Sequence, residues 1–317
     1  MERRKIGRSA LESSTIVFGG NVLGWTVDQA QGFRILDAFV DAGFNAIDTA
    51  DTYSRWVAGN KGGESETIIG NWLKQGGGRR ERVRIFTKLG AEMGPDRKGL
   101  SRRYIKAEVE ESLRRLQTDT IDLYQSHRDD TATPMLETLE TYAELIREGK
   151  VRAIGASNFS AARLQEALDV SARHGLPRYE CLQPRFNLYD RADYEGALEQ
   201  LCRKEKIGVI PYYGLASGFL SGKYRSAADF GKSPRGGAMA NYLNARGLKL
   251  LAALDAVAAA HKVKPAAIAL AWLIARPSIT APIASATSVE QLKDFSAAAG
   301  LKLSREEIAE LDAAGAQ

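Results

Sequence analysis

An acid, a phenol, an ammonium and an imidazole punctuate the first half of this chain: Asp48, Tyr53, Lys88 and His127. Three of them end short apolar runs with strand character, Asn45-Ala46-Ile47-Asp48, Val83-Arg84-Ile85-Phe86-Thr87-Lys88 and Ile121-Asp122-Leu123-Tyr124-Gln125-Ser126-His127. Tyr53 follows closely on the first. A phenol donates protons poorly near neutrality, its reference pKa being about 10. An adjacent ammonium favours the phenolate, so Lys88 is expected to lower the pKa of Tyr53 while Asp48 holds the lysine in an ion pair. His127 would hydrogen-bond a substrate oxygen and orient it beside the phenol. The set suits protonation of an alkoxide forming on a carbonyl carbon. It includes no nucleophile–base pair of the hydrolase kind and no metal-ligand cluster.

For strand ends to meet at one rim, the strands must be parallel and curled. Strands alternating with helices along the whole chain predict a single (β/α)8 TIM barrel, whose chemistry sits at strand C-terminal ends. Residues 5–18, with Gly7 and the pair Ser13-Ser14, suit an N-terminal hairpin closing the barrel floor. Helical periodicity places Phe33, Leu36, Phe39 and Val40 on one face, and Ile105, Val109, Leu113 and Leu116 on another. Thr133-Pro134 reads as a cap and first-turn pair, and residues 192–204 as a helix. A last strand is expected over 279–283, followed by extra C-terminal helices opened by capping boxes at Ser288 and Ser304. No linker or low-complexity tract divides residues 1–317, so a single domain is expected.

The net charge of +5 is modest, and the lysines and arginines are spread rather than clustered, which argues against a nucleic-acid arm. Two cysteines, Cys181 and Cys202, form neither a metal spacing nor a disulfide framework. No apolar stretch approaches about 18 residues, and none follows the charged start Met1-Glu2-Arg3-Arg4-Lys5. A cytoplasmic setting without membrane contact is expected.

Several stretches are similar to the aldo-keto reductase family. Asp48-Thr49-Ala50-Asp51-Thr52-Tyr53 resembles its Asp-Thr-Ala-x-x-Tyr signature, and Gly63-Glu64-Ser65-Glu66 with Ile69-Gly70 resembles the helix start that follows. Ser112 to Asp119, running into Ile121-Asp122-Leu123-Tyr124 and His127, resembles the family's most specific stretch. Gly155-Ala156-Ser157-Asn158-Phe159 and the segment from Gln183 to Arg191 also match. The likeness covers residues 3–312 in order and lies nearest the bacterial branch that resembles potassium-channel β subunits.

The resemblance implies that Tyr53 is the general acid, supported by Lys88 and Asp48, with His127 positioning the carbonyl. It implies that Ser157, Asn158 and Gln183 hold a nicotinamide carboxamide and that Tyr212 stacks on the ring. Leu215, Ser217, Gly218 and Lys223 would lie on a loop over the pyrophosphate. Ser285, Thr287, Gln291 and Asp294 match the adenosine-binding segment, and Arg235 a basic residue near the 2′-phosphate. These positions lean towards NADPH/NADP+ over NADH. Three positions depart from the family pattern: Tyr213-Gly214-Leu215 replaces Ser-Pro-Leu, Ser285 replaces a glycine, and Phe295 stands where asparagine often contacts adenine.

Trp25, Trp56 and Arg128 lie on loops after strands and are the candidate substrate residues. The two tryptophans could stack on a sugar or an extended ring, or pack the rim. Arg128 could receive a carboxylate or phosphate, or pair with Asp129 or Asp130. Residues 55–63 read as a mobile lid. The leading expectation is an NADP(H)-dependent oxidoreductase acting on a small-molecule carbonyl or alcohol, with a homo-oligomer possible. The alternatives are an NADP(H)-binding regulatory or redox-sensing subunit with negligible turnover, and a barrel lyase using Lys88 as a Schiff base.

Overall fold

The chain opens with a hairpin, β1 (Arg3–Lys5) antiparallel to β2 (Glu12–Ser14), turned through Gly7 at φ 61°. The computed structural model describes residues 1–316; Gln317, the last residue of the expected domain, lies outside them. Eight parallel strands follow: β3 (Val17–Gly19), β4 (Ala46–Asp48), β5 (Arg84–Leu89), β6 (Ile121–Ser126), β7 (Val151–Ser157), β8 (Tyr179–Gln183), β9 (Gly208–Val209) and β10 (Ile283–Ala284). They pair in the order β10-β3-β4-β5-β6-β7-β8-β9. The seam between β9 and β10 is closed by Thr280 N–H to the Val209 carbonyl at 2.8 Å and Ile283 N–H to the Pro211 carbonyl at 2.9 Å. The result is the expected (β/α)8 barrel.

Strand residues alternate between faces. Val17, Ala46, Phe86, Leu123, Ala153 and Cys181 point inward and are buried together with Ile6 and Leu11, so the hairpin plugs the barrel floor. The same parity carried two residues onward delivers Asp48, Lys88, Gln125 and Gln183 to the opposite mouth. Outward residues such as Phe18, Ile47, Ile85, Tyr124, Ile154 and Leu182 form a second core with the helices.

The helices are α1 (Gln29–Asp41), α2 (Glu64–Lys74), α3 (Arg79–Arg82), α4 (Arg102–Leu116), α5 (Met135–Arg147), α6 (Ala161–His174) and α7 (Ala197–Glu205). After β9 come α8 (Ala245–His261), α9 (Pro265–Ala275), α10 (Leu292–Gly300) and α11 (Arg305–Gly315). The stripe Ile105, Val109, Leu113 and Leu116 is buried as its spacing requires. No single helix among the described residues is long and apolar enough to cross a membrane.

Four local expectations are corrected. Thr133 does not cap α5; its hydroxyl donates to Asp130 Oδ2 at 2.7 Å, and Pro134 precedes the helix without a side-chain cap. The capping box at Ser288 is absent, because Gln291 Oε1 instead accepts the Thr287 N–H at 2.8 Å, while the box at Ser304 and Glu307 forms. Helix α7 begins five residues later than expected, after Gly196, whose φ 96° and ψ −128° are not helical. Strand β10 begins at Ile283 because Pro282 has no N–H for a ladder bond.

Candidate active site

The inward residues at the strand ends converge on the rim. Lys88 is wholly buried, and its ammonium donates to Asp48 Oδ2 at 2.7 Å, to the Thr49 carbonyl at 2.7 Å and to Tyr53 Oη at 2.9 Å. An ammonium has three donors, so this one is fully engaged. The Tyr53 hydroxyl donates to Asp48 Oδ2 at 3.3 Å. The other oxygen of Asp48 accepts from Gln183 Nε2 at 2.9 Å and from Gln125 Nε2 at 3.4 Å. Gln125 escaped the sequence reading. Its signal was parity, since it shares the inward face two residues before His127.

The loop that carries Tyr53 is braced from below. Thr49 Oγ1 donates to Ser65 Oγ at 2.8 Å, and Ser65 donates to the Gly20 carbonyl at 2.8 Å. Beneath it, Arg115 joins Glu66 and Glu108, each at 2.6 Å.

Burial governs the proton affinities. The Tyr53 phenol is pushed well above its ordinary value of 10.0, first by burial and then by the Asp48 carboxylate. The expected lowering by Lys88 is therefore overturned: losing water and facing a carboxylate outweigh the ammonium. The phenol therefore stays protonated, and a phenolate formed there would be held by the Lys88 ammonium. Burial also draws Lys88 below its ordinary value, with Asp48 opposing the shift. That ion pair runs against a free Schiff-base amine. His127 falls well below 6.5 through burial, then Lys88 and Arg128, so its imidazole is neutral at pH 7. Its ring lies 6.1 Å from that of Tyr53, and its Nδ1 has no partner. A neutral imidazole retains one N–H for a substrate oxygen.

The residues expected at the nicotinamide come together beside this group. Ser157 Oγ donates to the Gln183 carbonyl at 2.8 Å. Asn158, in the left-handed region at φ 57°, donates to the His127 carbonyl at 2.9 Å and to Ser157 Oγ at 3.1 Å. The Tyr212 hydroxyl donates to Asn158 Oδ1 at 2.8 Å.

From here a cleft of about 1000 Å³ runs along the rim, lined by Leu215, Ser217, Gly218, Lys223, Arg235, Ser285, Thr287, Gln291 and Asp294 among others. Ser217 and Gly218, at φ 57° and 101°, kink the turn that borders it. Ser285 Oγ donates to Asn21 Oδ1 at 2.7 Å. Lys264, which the sequence reading missed, lies 3.7 Å from Asp294 Oδ1 and supplies the cation beside Thr287 and Gln291. Arg235 stands elsewhere than that segment: its guanidinium lies over the Trp25 ring at 5.1 Å, facing Tyr53, Tyr213 and Tyr224, and its buried Nη2 has no partner. Phe295 is buried edge-on to Phe44, so its ring serves the core as well as the cleft wall.

At the catalytic end Trp25 and Trp56 meet edge to face at 5.6 Å, and Trp56 lies 6.2 Å from Tyr53. The 55–63 segment is tied to its neighbours, with Asn60 Nδ2 donating to the Gly24 and Ser54 carbonyls, both at 3.0 Å. Asp129 is taken by Arg163 at 2.8 Å, and Asp130 accepts the Leu100 N–H at 2.7 Å and the Ala132 N–H at 2.9 Å. Arg128 therefore has no ion pair among the described residues.

A closed parallel barrel with a buried Lys–Asp pair under a phenol, set at the strand C-terminal ends, defines a barrel of the enzyme type. The sequence model of the aldo/keto reductase family matches residues 15–316, and the chain belongs to that family. It is an oxidoreductase family whose members generally use nicotinamide cofactors. Over 312 residues the chain is 36% identical to "Uncharacterized oxidoreductase YrpG" of Bacillus subtilis (strain 168), covering 96% of this chain and 93% of that protein. It is 31% identical to "Protein tas" of Escherichia coli (strain K12), covering 99% and 97%. It is 32% identical to "Probable voltage-gated potassium channel subunit beta" of Oryza sativa subsp. japonica, covering 92% and 89%.

Proposed function

We propose that the chain is an NADP(H)-dependent carbonyl reductase, working in reverse as an alcohol dehydrogenase, with Tyr53 as general acid. The observation that carries this reading is the position of Tyr53 Oη, 2.9 Å from a buried ammonium at the floor of the cleft. The residues present fit a phosphorylated dinucleotide. Arg235 has an orphaned buried nitrogen, Lys223 has no ion pair among the described residues, and Lys264 stands at the opposite end. When bound, the reduced nicotinamide supplies a hydride to the carbonyl carbon and is itself oxidised.

The chain does the rest. His127 donates a hydrogen bond to the carbonyl oxygen and holds it towards Tyr53. As charge gathers there, Tyr53 releases its proton to that oxygen, and Lys88 stabilises the phenolate left behind. Asp48, held by Gln183 and Gln125, keeps Lys88 charged and aimed. Ser157, Asn158 and Gln183 supply the polar groups for the carboxamide, with Tyr212 as the flat neighbour of the ring.

The test is titration of the purified protein with NADPH and NADH by fluorescence quenching, then turnover of aldehydes and ketones followed by reduced-cofactor absorbance. Expected are tighter binding of NADPH and a turnover that collapses in Tyr53→Phe while cofactor affinity persists. Failure to bind either nucleotide would overturn the reading, and binding without any turnover would favour a sensing subunit.

A further inference from the structure

We propose that the substrate carries an anionic group, a carboxylate or a phosphate, held by Arg128 while its carbonyl lies between Tyr53 and His127. The proposal rests on the reductase reading and adds a substrate class to it.

Arg128 is the residue after His127, so its backbone is fixed by the bonds that fix the imidazole. The His127 N–H donates to the Leu89 carbonyl at 2.8 Å, and the His127 carbonyl accepts from Asn158 at 2.9 Å. The Arg128 side chain lines the cleft on the side where His127 and Tyr212 feel its charge.

The two acids that follow it in sequence are both occupied. Arg163 grips Asp129 through Nε and Nη2 at 2.8 and 2.9 Å, and Asp130 is held by backbone N–H groups and Thr133. Asp48 is held by Lys88. The nearby Arg185 is neutralised by Asp190 at 2.5 Å, which leaves Arg128 as the uncompensated guanidinium beside His127. Asp294, the one carboxylate lining the cleft, stands at the far end beside Lys264. An anion entering the catalytic end thus meets a planar fork of donors, suited to carboxylate or phosphate, and no carboxylate lining that end of the cleft. The edge-to-face pair of Trp25 and Trp56 offers an apolar wall for the body of such a molecule.

Matched aldehyde pairs test this. 4-Carboxybenzaldehyde is compared with benzaldehyde for the carboxylate, and glyceraldehyde 3-phosphate with glyceraldehyde for the phosphate, at low and high salt. Because Arg128 is exposed, the preference in kcat/KM for the charged member should be roughly tenfold and should weaken with salt. A preference in only one pair tells which anion the site takes. In Arg128→Ala the ratio should fall to about one through a higher KM for the charged member, and Arg128→Lys should restore part of it. Equal rates within both pairs, or a preference that survives Arg128→Ala, would overturn the proposal. If the neutral aldehydes turn over through Tyr53 but show no charged preference, the reductase reading stands and this one falls. No turnover with any member overturns both.

Discussion

Replacing Lys88 by methionine separates what the buried pair does for stability from what it does for catalysis. The ammonium makes three bonds of 2.7, 2.7 and 2.9 Å with no exposed surface, and its removal strands Asp48 as a buried carboxylate. Breaking a buried ion pair from one side costs about 3–5 kcal/mol. For a chain of this size that is a fall in Tm of roughly 5–8 °C. The catalytic loss is a different quantity, because the bond to Tyr53 matters most when the phenolate forms. Removing a preorganised donor of this kind costs about 10²–10³ in kcat. Adding Asp48→Asn to Lys88→Met removes the stranded charge and preserves an oxygen for Gln183, so most of the lost Tm should return. Turnover should not return. Thermal unfolding and steady-state kinetics on the parent, the two single variants and the double variant measure both quantities. A Lys88→Met protein as stable as the parent, or a double variant that recovers turnover, would refute the reasoning.

Two further outcomes follow from the buried titratable groups. Reduction should show no break near 6.5, because burial moves His127 below it; a pH profile of kcat/KM with an inflection at that value counts against this. Asp51 is wholly buried, neither of its carboxylate oxygens has a partner, and burial, Glu108 and Glu66 raise its pKa well above 3.8. Below that value both folded and unfolded chains hold the proton, and Asp51→Asn should leave Tm nearly unchanged. As pH rises, the unfolded chain ionises first, and the parent loses about 1.4 kcal/mol per pH unit until the folded carboxyl titrates. The variant escapes this loss, so its Tm advantage should grow from acid towards neutral pH, and a gap independent of pH would sink the idea.

The barrel and the four rim residues are legible in the sequence, because both are written in short-range pattern. Period-two alternation marks a strand and its inward face, and a charged residue closing an apolar run marks a strand end. The stripe in α4 was readable for the same reason. Parity marks Gln125 as well, which lies on the inward face between Leu123 and His127.

Residue types and spacing determined which groups reach the rim and what reaction they suit. Only the tertiary structure decided how those groups behave. The direction of the Tyr53 shift depends on water excluded by the whole barrel mouth and on a carboxylate held by Gln183, 135 residues away in sequence. The freedom of Arg128 depends on Arg163 having taken Asp129, and the place of Arg235 on its stacking over Trp25. Sequence encodes which face a side chain takes, but burial and partnership arise from contacts between distant segments, which no local pattern records.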